Sequence, residues 1–304
     1  MQQRVSSMKR IVRMTGLPPA ALFLITGVAV GLNLAGLIPD TPLATAITAF
    51  TLLVVGVPHG SFDLALLRRA GATGSTAQLA LLYVGCAAAM YIIWQIAPTV
   101  ALAVFLIMAV THFAEDWAEY GSRFIATGIA AAIVAAPALM HGTRLRELFV
   151  VLTGDADAAI LADVLMLVGP VAGAVAVLGI GLLWQAGCRD RAISAGCGLA
   201  AMLLMPPVPG FALFFCLVHS PVQFRFHAHA LGLRGLSNWR GIVVPISLGG
   251  LALAGVIYVL NDGVSITASV FAVSFMTLSV LTVPHMLVPV LVDRLQDLQQ
   301  PLSR

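Results

Sequence analysis

The chain has 304 residues, 60% of them hydrophobic and only 10% charged, with a formal net charge of +3 and a mean hydropathy of +1.00. A soluble domain carries roughly a quarter charged residues and a little under half apolar ones. This composition therefore excludes a disordered chain, a collagen, a coiled coil, a secreted disulfide scaffold and an ordinary soluble core, and leaves lipid as the main solvent.

A helix needs about 20 apolar residues to cross the hydrocarbon core. In chain order, the segments that qualify are 18–37, 43–66, 76–96, 99–117, 124–141, 160–186, 192–207, 210–230, 241–260 and 265–292, the seventh being the shortest. Pro18-Pro19, Pro39, Pro98, Pro206-Pro207 and Pro209-Gly210 punctuate the connections. Arg4, Lys9, Arg10 and Arg13 precede the first run, which is too long for a signal-peptide core and lacks a small-x-small cleavage site, so it reads as a first transmembrane helix. No long polar stretch separates two blocks. The expected architecture is an all-α, polytopic integral membrane helix bundle of about ten transmembrane helices. It forms a single membrane domain over 1–304, with a basic cytoplasmic segment at 1–16 and a short cytoplasmic tail at 294–304.

Orientation follows from counting basic residues. With the N-terminus inside and ten alternating spans, the inner side receives the four N-terminal cations and Arg68, Arg69, Arg123, Arg189, Arg191, Arg225, Arg234, Arg240, Arg294 and Arg304. Only Arg144 and Arg146 fall outside, in a segment suited to the interface, so both termini are expected inside, in a bacterial inner membrane. The net charge is thus a topology signal, and no nucleic-acid partner is implied. Cys86, Cys188, Cys197 and Cys216 have no metal-type spacing and read as small apolar packing groups. Gly27-x-x-x-Gly31 is a small-residue packing pattern common in membrane helices.

Ionisable groups inside spans are costly and usually face the bundle interior or a cavity. Here they cluster. His59 lies in Gly56-Val-Pro-His-Gly-Ser-Phe-Asp63, His112 in Thr111-His-Phe-Ala-Glu-Asp116, His219 in Cys216-Leu-Val-His-Ser-Pro-Val-Gln223, and His285 in Thr282-Val-Pro-His-Met286. All four fall in even-numbered spans, each a short way before an inner-side arginine, and so at similar depth. Packed side by side, those helices can bring four imidazoles onto one metal centre. Asp63 and Asp116 stand four residues after His59 and His112, and Gln223 four after His219. On a helix that spacing shares a face. Each can orient its own histidine or a neighbouring one, and the carboxylates can balance a buried cation. Pro58 and Pro284 are expected to kink their spans beside the centre. His141, His227 and His229 read as interfacial, and Glu115, Glu119 and Arg123 as a solvated helix end.

These motifs resemble the Brp/Blh family of membrane-embedded β-carotene dioxygenases. The likeness rests on Pro58-His59-Gly60 with Asp63, on His112-Phe113, on His219, and on Pro284-His285-Met286, over roughly 45–292. The resemblance implies central 15,15′ cleavage of β-carotene by O2 to two retinal molecules. It also implies a non-haem Fe(2+) held by histidines, with His59, His112 and His219 as ligands. The family pattern His-x-x-x-His is broken here by Gln223, and an amide is a weaker ligand than imidazole. Either His285, or with less support His227, completes the shell, or three histidines leave a position open. The implied partners are an apolar polyene from the bilayer, O2 and membrane lipid, with an opsin as a natural recipient of retinal. No Ser/His/Asp or Cys/His arrangement suggests another catalytic group. The rival readings are a zinc-dependent membrane lipid hydrolase of the ceramidase or adiponectin-receptor kind, a transporter with a His/Asp proton relay, and a bis-histidine haem carrier.

Overall fold

The computed structural model describes residues 17–118, 122–233, 236–261 and 265–299. Arg4, Lys9, Arg10, Arg13, Glu119, Arg234 and Arg304 lie outside the described residues. Among the described residues there is no strand, and ten helical rods follow the ten predicted spans in order. They are α1 (Pro19–Leu34); α2 (Pro42–Gly56), which continues through a 3-10 turn (Val57–Phe62) into α3 (Asp63–Arg69); α4 (Thr76–Ile96); α5 (Pro98–Ala114); α6 (Arg123–Thr153); and α7 (Ala159–Gln185). After these come α8 (Arg189–Leu204); α9 (Pro207–Phe214), joined by a π-helical turn (Phe215–His219) to α10 (Ser220–Ala230); α11 (Leu236–Leu260); and α12 (Ile266–Gln299). Seven of these rods are long and apolar enough to cross a membrane. α1 and α5 are shorter apolar helices.

The outside of the bundle is apolar. Phe23, Leu81, Leu167, Val171, Val177 and Val259 are each 66–80% exposed, on helix faces that water would not solvate well. Contiguous exposed apolar surface of this extent marks contact with lipid. The polar residues turn inward instead: His59, Asp63, His112, Asp116, His219, Gln223 and His285 are all buried.

α8, which follows the shortest of the predicted spans, is not a lipid-facing rod. Ala192, Ser194, Ala195, Cys197, Gly198 and Ala201 bury most of one face against its neighbours. A Cβ on Gly210 would sit 2.7 Å from the Ala201 carbonyl oxygen, so the missing side chain lets α9 approach the α8 backbone closely. By contrast, a Cβ on Gly27 or Gly31 would meet nothing, so that small-residue pair packs against no described residue. The four cysteines are free thiols.

Helix ends are held locally. Ser75 and Gln78 form a reciprocal capping box at the start of α4, and Thr41 and Ser122 cap α2 and α6. α6 runs through His141, whose backbone (φ −127°) kinks it, and ends on Gly154 in the left-handed region (φ 69°). Between α6 and α7, Asp155 accepts from the Thr99 hydroxyl at 2.6 Å, which holds its carboxyl below the usual range and ties the start of α5 to this connection. Arg144 and Arg146, the two arginines that break the charge count, are ion-paired, Arg144 with Asp40 and Glu147 and Arg146 with Asp163. Deeper in the bundle, Trp94 on α4 donates to the Ser279 hydroxyl on α12 at 3.0 Å.

Candidate metal centre

Four histidines from four rods meet in the interior. Local backbone chemistry aims two of them. Pro58 has no N–H, so the α2 ladder cannot continue, and the chain tightens into the 3-10 turn that carries His59. Pro221 likewise cannot donate to the Leu217 carbonyl. The ladder widens into the π-helical turn that ends on His219, a device common at functional sites. His112 sits two residues before the end of α5, and His285 lies next to Pro284 within α12.

The ligand atoms of His59, His112 and His219 all lie within 4.8 Å of one another. The His285 ring stands beside them, 5.1 Å from His59 and 5.0 Å from His112 between centroids. His219 is fully buried. Its Nδ1 donates to Asp116 Oδ2 at 2.8 Å, which leaves the Nε2 lone pair pointing inward. His59 Nδ1 donates to the Gly56 carbonyl, with the same result. His285 Nδ1 lies 2.9 Å from both oxygens of Asp63. The Nε2 atoms of His112 and His219 face each other at 3.0 Å. Two lone pairs at that range repel unless a proton or a cation sits between them. Metal–nitrogen bonds of about 2.0–2.1 Å in a tetrahedral shell put ligand atoms roughly 3.4 Å apart. The donor set thus fits a divalent transition metal, and Asp63 and Asp116 supply two negative charges to balance it.

The carboxylates serve neighbouring histidines, not their own. Asp63 takes His285, and Asp116 takes His219. The physical reason is that neither His-x-x-x-Asp segment is α-helical throughout. The first runs along the 3-10 turn, and the second leaves α5 at Ala114. Gln223 does lie one helical turn beyond His219, and its amide donates to Asp116 Oδ1 at 2.8 Å. Gln223 therefore acts on the carboxylate that holds His219. His229 is exposed as expected, but His227 is not interfacial. It is buried, with its ring 6.1 Å from that of His285.

An apolar cavity of about 460 Å³ opens from this centre. His59, Asp63, His112 and His285 form its polar end, and Phe105, Phe211, Phe215 and aliphatic residues of α4 and α11 line the rest. Val84, Ile246, Val256 and Leu260 line it and are themselves exposed, so its mouth lies between α4 and α11 on the lipid-facing surface. The size is that of an ordinary small-molecule site, roughly 300–1,000 Å³.

Residues 50–293 match the family described as Beta-carotene 15,15'-dioxygenase. The chain belongs to this beta-carotene 15,15'-dioxygenase family. It is accordingly an oxidoreductase, and the matched segment contains every residue of the histidine centre. The chain is also 26% identical, over 77% of its length and 88% of the relative's, to a beta-carotene 15,15'-dioxygenase from uncultured marine bacterium 66A03. No solved structure matches.

Three residues around this dioxygenase-family centre escape a reading of the sequence. Tyr83 on α4 donates its hydroxyl to Asp63 Oδ2 at 3.0 Å. Its signal was a polar-tipped ring within an apolar span. Arg191, counted above as a loop cation, is buried at the start of α8 with Nη1 3.4 Å from the Asp116 carbonyl. Gly56 is a third. A Cβ there would lie 2.5 Å from the Phe215 ring, which packs at 5.3 Å against both His59 and His219. Gly56→Leu is expected to push Phe215 into the centre and lower metal content several-fold in folded protein, by elemental analysis beside circular dichroism. Wild-type metal content would show that the ring can yield without disturbing the histidines.

Proposed function

We propose that this chain cleaves the central 15,15′ double bond of β-carotene with O2 and releases two molecules of retinal. The observation that carries the reading is the pairing of a buried histidine cluster with an apolar cavity whose mouth faces lipid, in a chain of this family. Fe(2+) is the proposed metal, held by His59, His112 and His219, with His285 as the fourth ligand. When bound, ferrous iron supplies the redox chemistry that lets O2 react with a closed-shell polyene.

The protein's own residues do the rest. β-Carotene is a hydrocarbon dissolved in the bilayer, so it reaches the cavity laterally through the mouth between α4 and α11. Apolar side chains exclude water and hold the polyene by contact alone, and its register along the cavity sets the double bond that meets the polar end. Asp63 and Asp116 fix imidazole tautomers and balance charge. The reaction places one oxygen atom on each new aldehyde and transfers no proton, so no general acid or base is needed. The N-in, C-in orientation, a bacterial inner-membrane location and delivery of retinal to an opsin belong to this proposal, as does the single membrane domain over 1–304.

Zinc-dependent hydrolysis is less well supported, because the cavity is lined mainly by apolar side chains, with Ser61, Tyr83, Tyr91 and Thr282 its few hydroxyl groups, which suits a hydrocarbon better than an amide or ester. Expression in a bacterial host that accumulates β-carotene tests the proposal. The cells are expected to lose colour and yield retinal. Persistent colour with folded, iron-loaded protein would refute it.

A further inference from the structure

A second cavity, of about 640 Å³, meets the histidine centre from another side. It shares Asp63 and His285 with the apolar cavity but differs from it in chemistry. Glu115, Asp116 and Asp293 line it with Asp63, against two arginines, Arg69 and Arg191, so carboxylates outnumber cations. Three features point to a cation as its occupant. Glu115 is 44% exposed, yet its Oε2 reaches to 3.6 Å from His112 Nδ1. That His112 nitrogen is buried and has no hydrogen-bond partner. His227 lines the same cavity, is 7% exposed, and has a buried Nδ1 that also lacks a partner.

A hydrated divalent ion cannot cross the apolar cavity, because stripping its water against aliphatic walls costs far more than contact returns. We propose that the polar cavity is the loading route of the centre: Glu115 and Asp293 collect a hydrated divalent cation, and the unpaired nitrogen of His227 takes it inward towards His59, His112 and His219. The substrate and the metal of the centre then use separate doors, polyene from lipid and cation from the polar side. The inference rests on the reading that these three histidines hold a divalent metal.

The experiment uses the full-length apoprotein in lipid nanodiscs, with Co2+ alone as probe. Loading is stopped at intervals with a chelator, and bound cobalt is measured after gel filtration. Carboxylate-lined clefts raise cation on-rates by about 10–1,000-fold, and salt screens the effect. Wild type should load to a single ion per chain, more slowly as salt rises. Glu115→Gln with Asp293→Asn should load about tenfold more slowly and with little salt dependence, yet reach the same final content. His227→Leu should also slow loading. Gly249→Phe, at an open position in the apolar cavity, should load at the wild-type rate. Loading by the double variant at the wild-type rate and salt dependence would overturn the route, as would slowing by Gly249→Phe alone. No cobalt on wild type at all would overturn the metal reading itself, and the route with it.

Discussion

His219→Ala is expected to abolish metal retention and β-carotene turnover together. His219 is the most buried of the four histidines and is the one tied to both sides of the centre, through Nε2 to His112 and through Nδ1 to Asp116. Truncation removes a proposed ligand and leaves Asp116 Oδ2 without its imidazole donor, with only the Gln223 amide still bound to the carboxylate. Leaving a buried hydrogen-bonding group without its partner in this way typically costs about 1–3 kcal/mol. That penalty alone can reduce folding, so His219→Gln, which keeps a hydrogen-bond donor for Asp116, is the companion variant. Metal content per folded chain separates ligation from stability. A folded His219→Gln protein with wild-type metal content and turnover would remove His219 from the ligand set.

Asp116→Asn should lower metal affinity by about 10–100-fold, the usual effect of removing an outer partner of a ligating histidine. Asp116 accepts from His219 Nδ1 on one oxygen and from the Gln223 amide on the other. An asparagine can accept on only one of those sides, and its NH2 must face a donor on the other. It also deletes one of the two negative charges beside the centre. Gln223→Ala removes just one of these bonds and should have a smaller effect in the same direction. Competition with a chelator gives both values. Equal, near-wild-type affinity in Asp116→Asn would mean that the His219 ring is fixed by packing against Phe113 and Phe215 alone.

Much of this was legible in the sequence because the bilayer simplifies the code. A chain solvated by lipid must satisfy its backbone internally, so apolar runs became rods in the expected order, although α6, expected to end at 141, kinks at His141 and runs on to Thr153. Polar residues within those runs had to converge on something, and His59, His112, His219 and His285 do. What sequence spacing could not give was the side-chain pairing. The i, i+4 rule assumes a regular α-helix, and Pro58, Pro221 and the end of α5 replace it with a 3-10 turn, a π turn and a non-helical exit at these histidines. Hence Asp63 reaches across to His285 and Asp116 to His219. His227 was misplaced for a related reason. Being near Arg225 suggested the interface, whereas α10 turns that residue inward while Arg225 stays exposed. Tyr83 and Arg191 reach the centre from α4 and α8, helices with no motif of their own, and only tertiary packing reveals them.

In the proposed reaction the lipid-facing cavity presents the middle of a long polyene to the histidine centre. The most direct measurement is the product balance of purified, iron-loaded protein in nanodiscs supplied with β-carotene and O2. Two retinal molecules for each β-carotene consumed, with no longer or shorter aldehyde, is the predicted result. Unequal fragments, or intact β-carotene over a folded and metal-loaded protein, would contradict it.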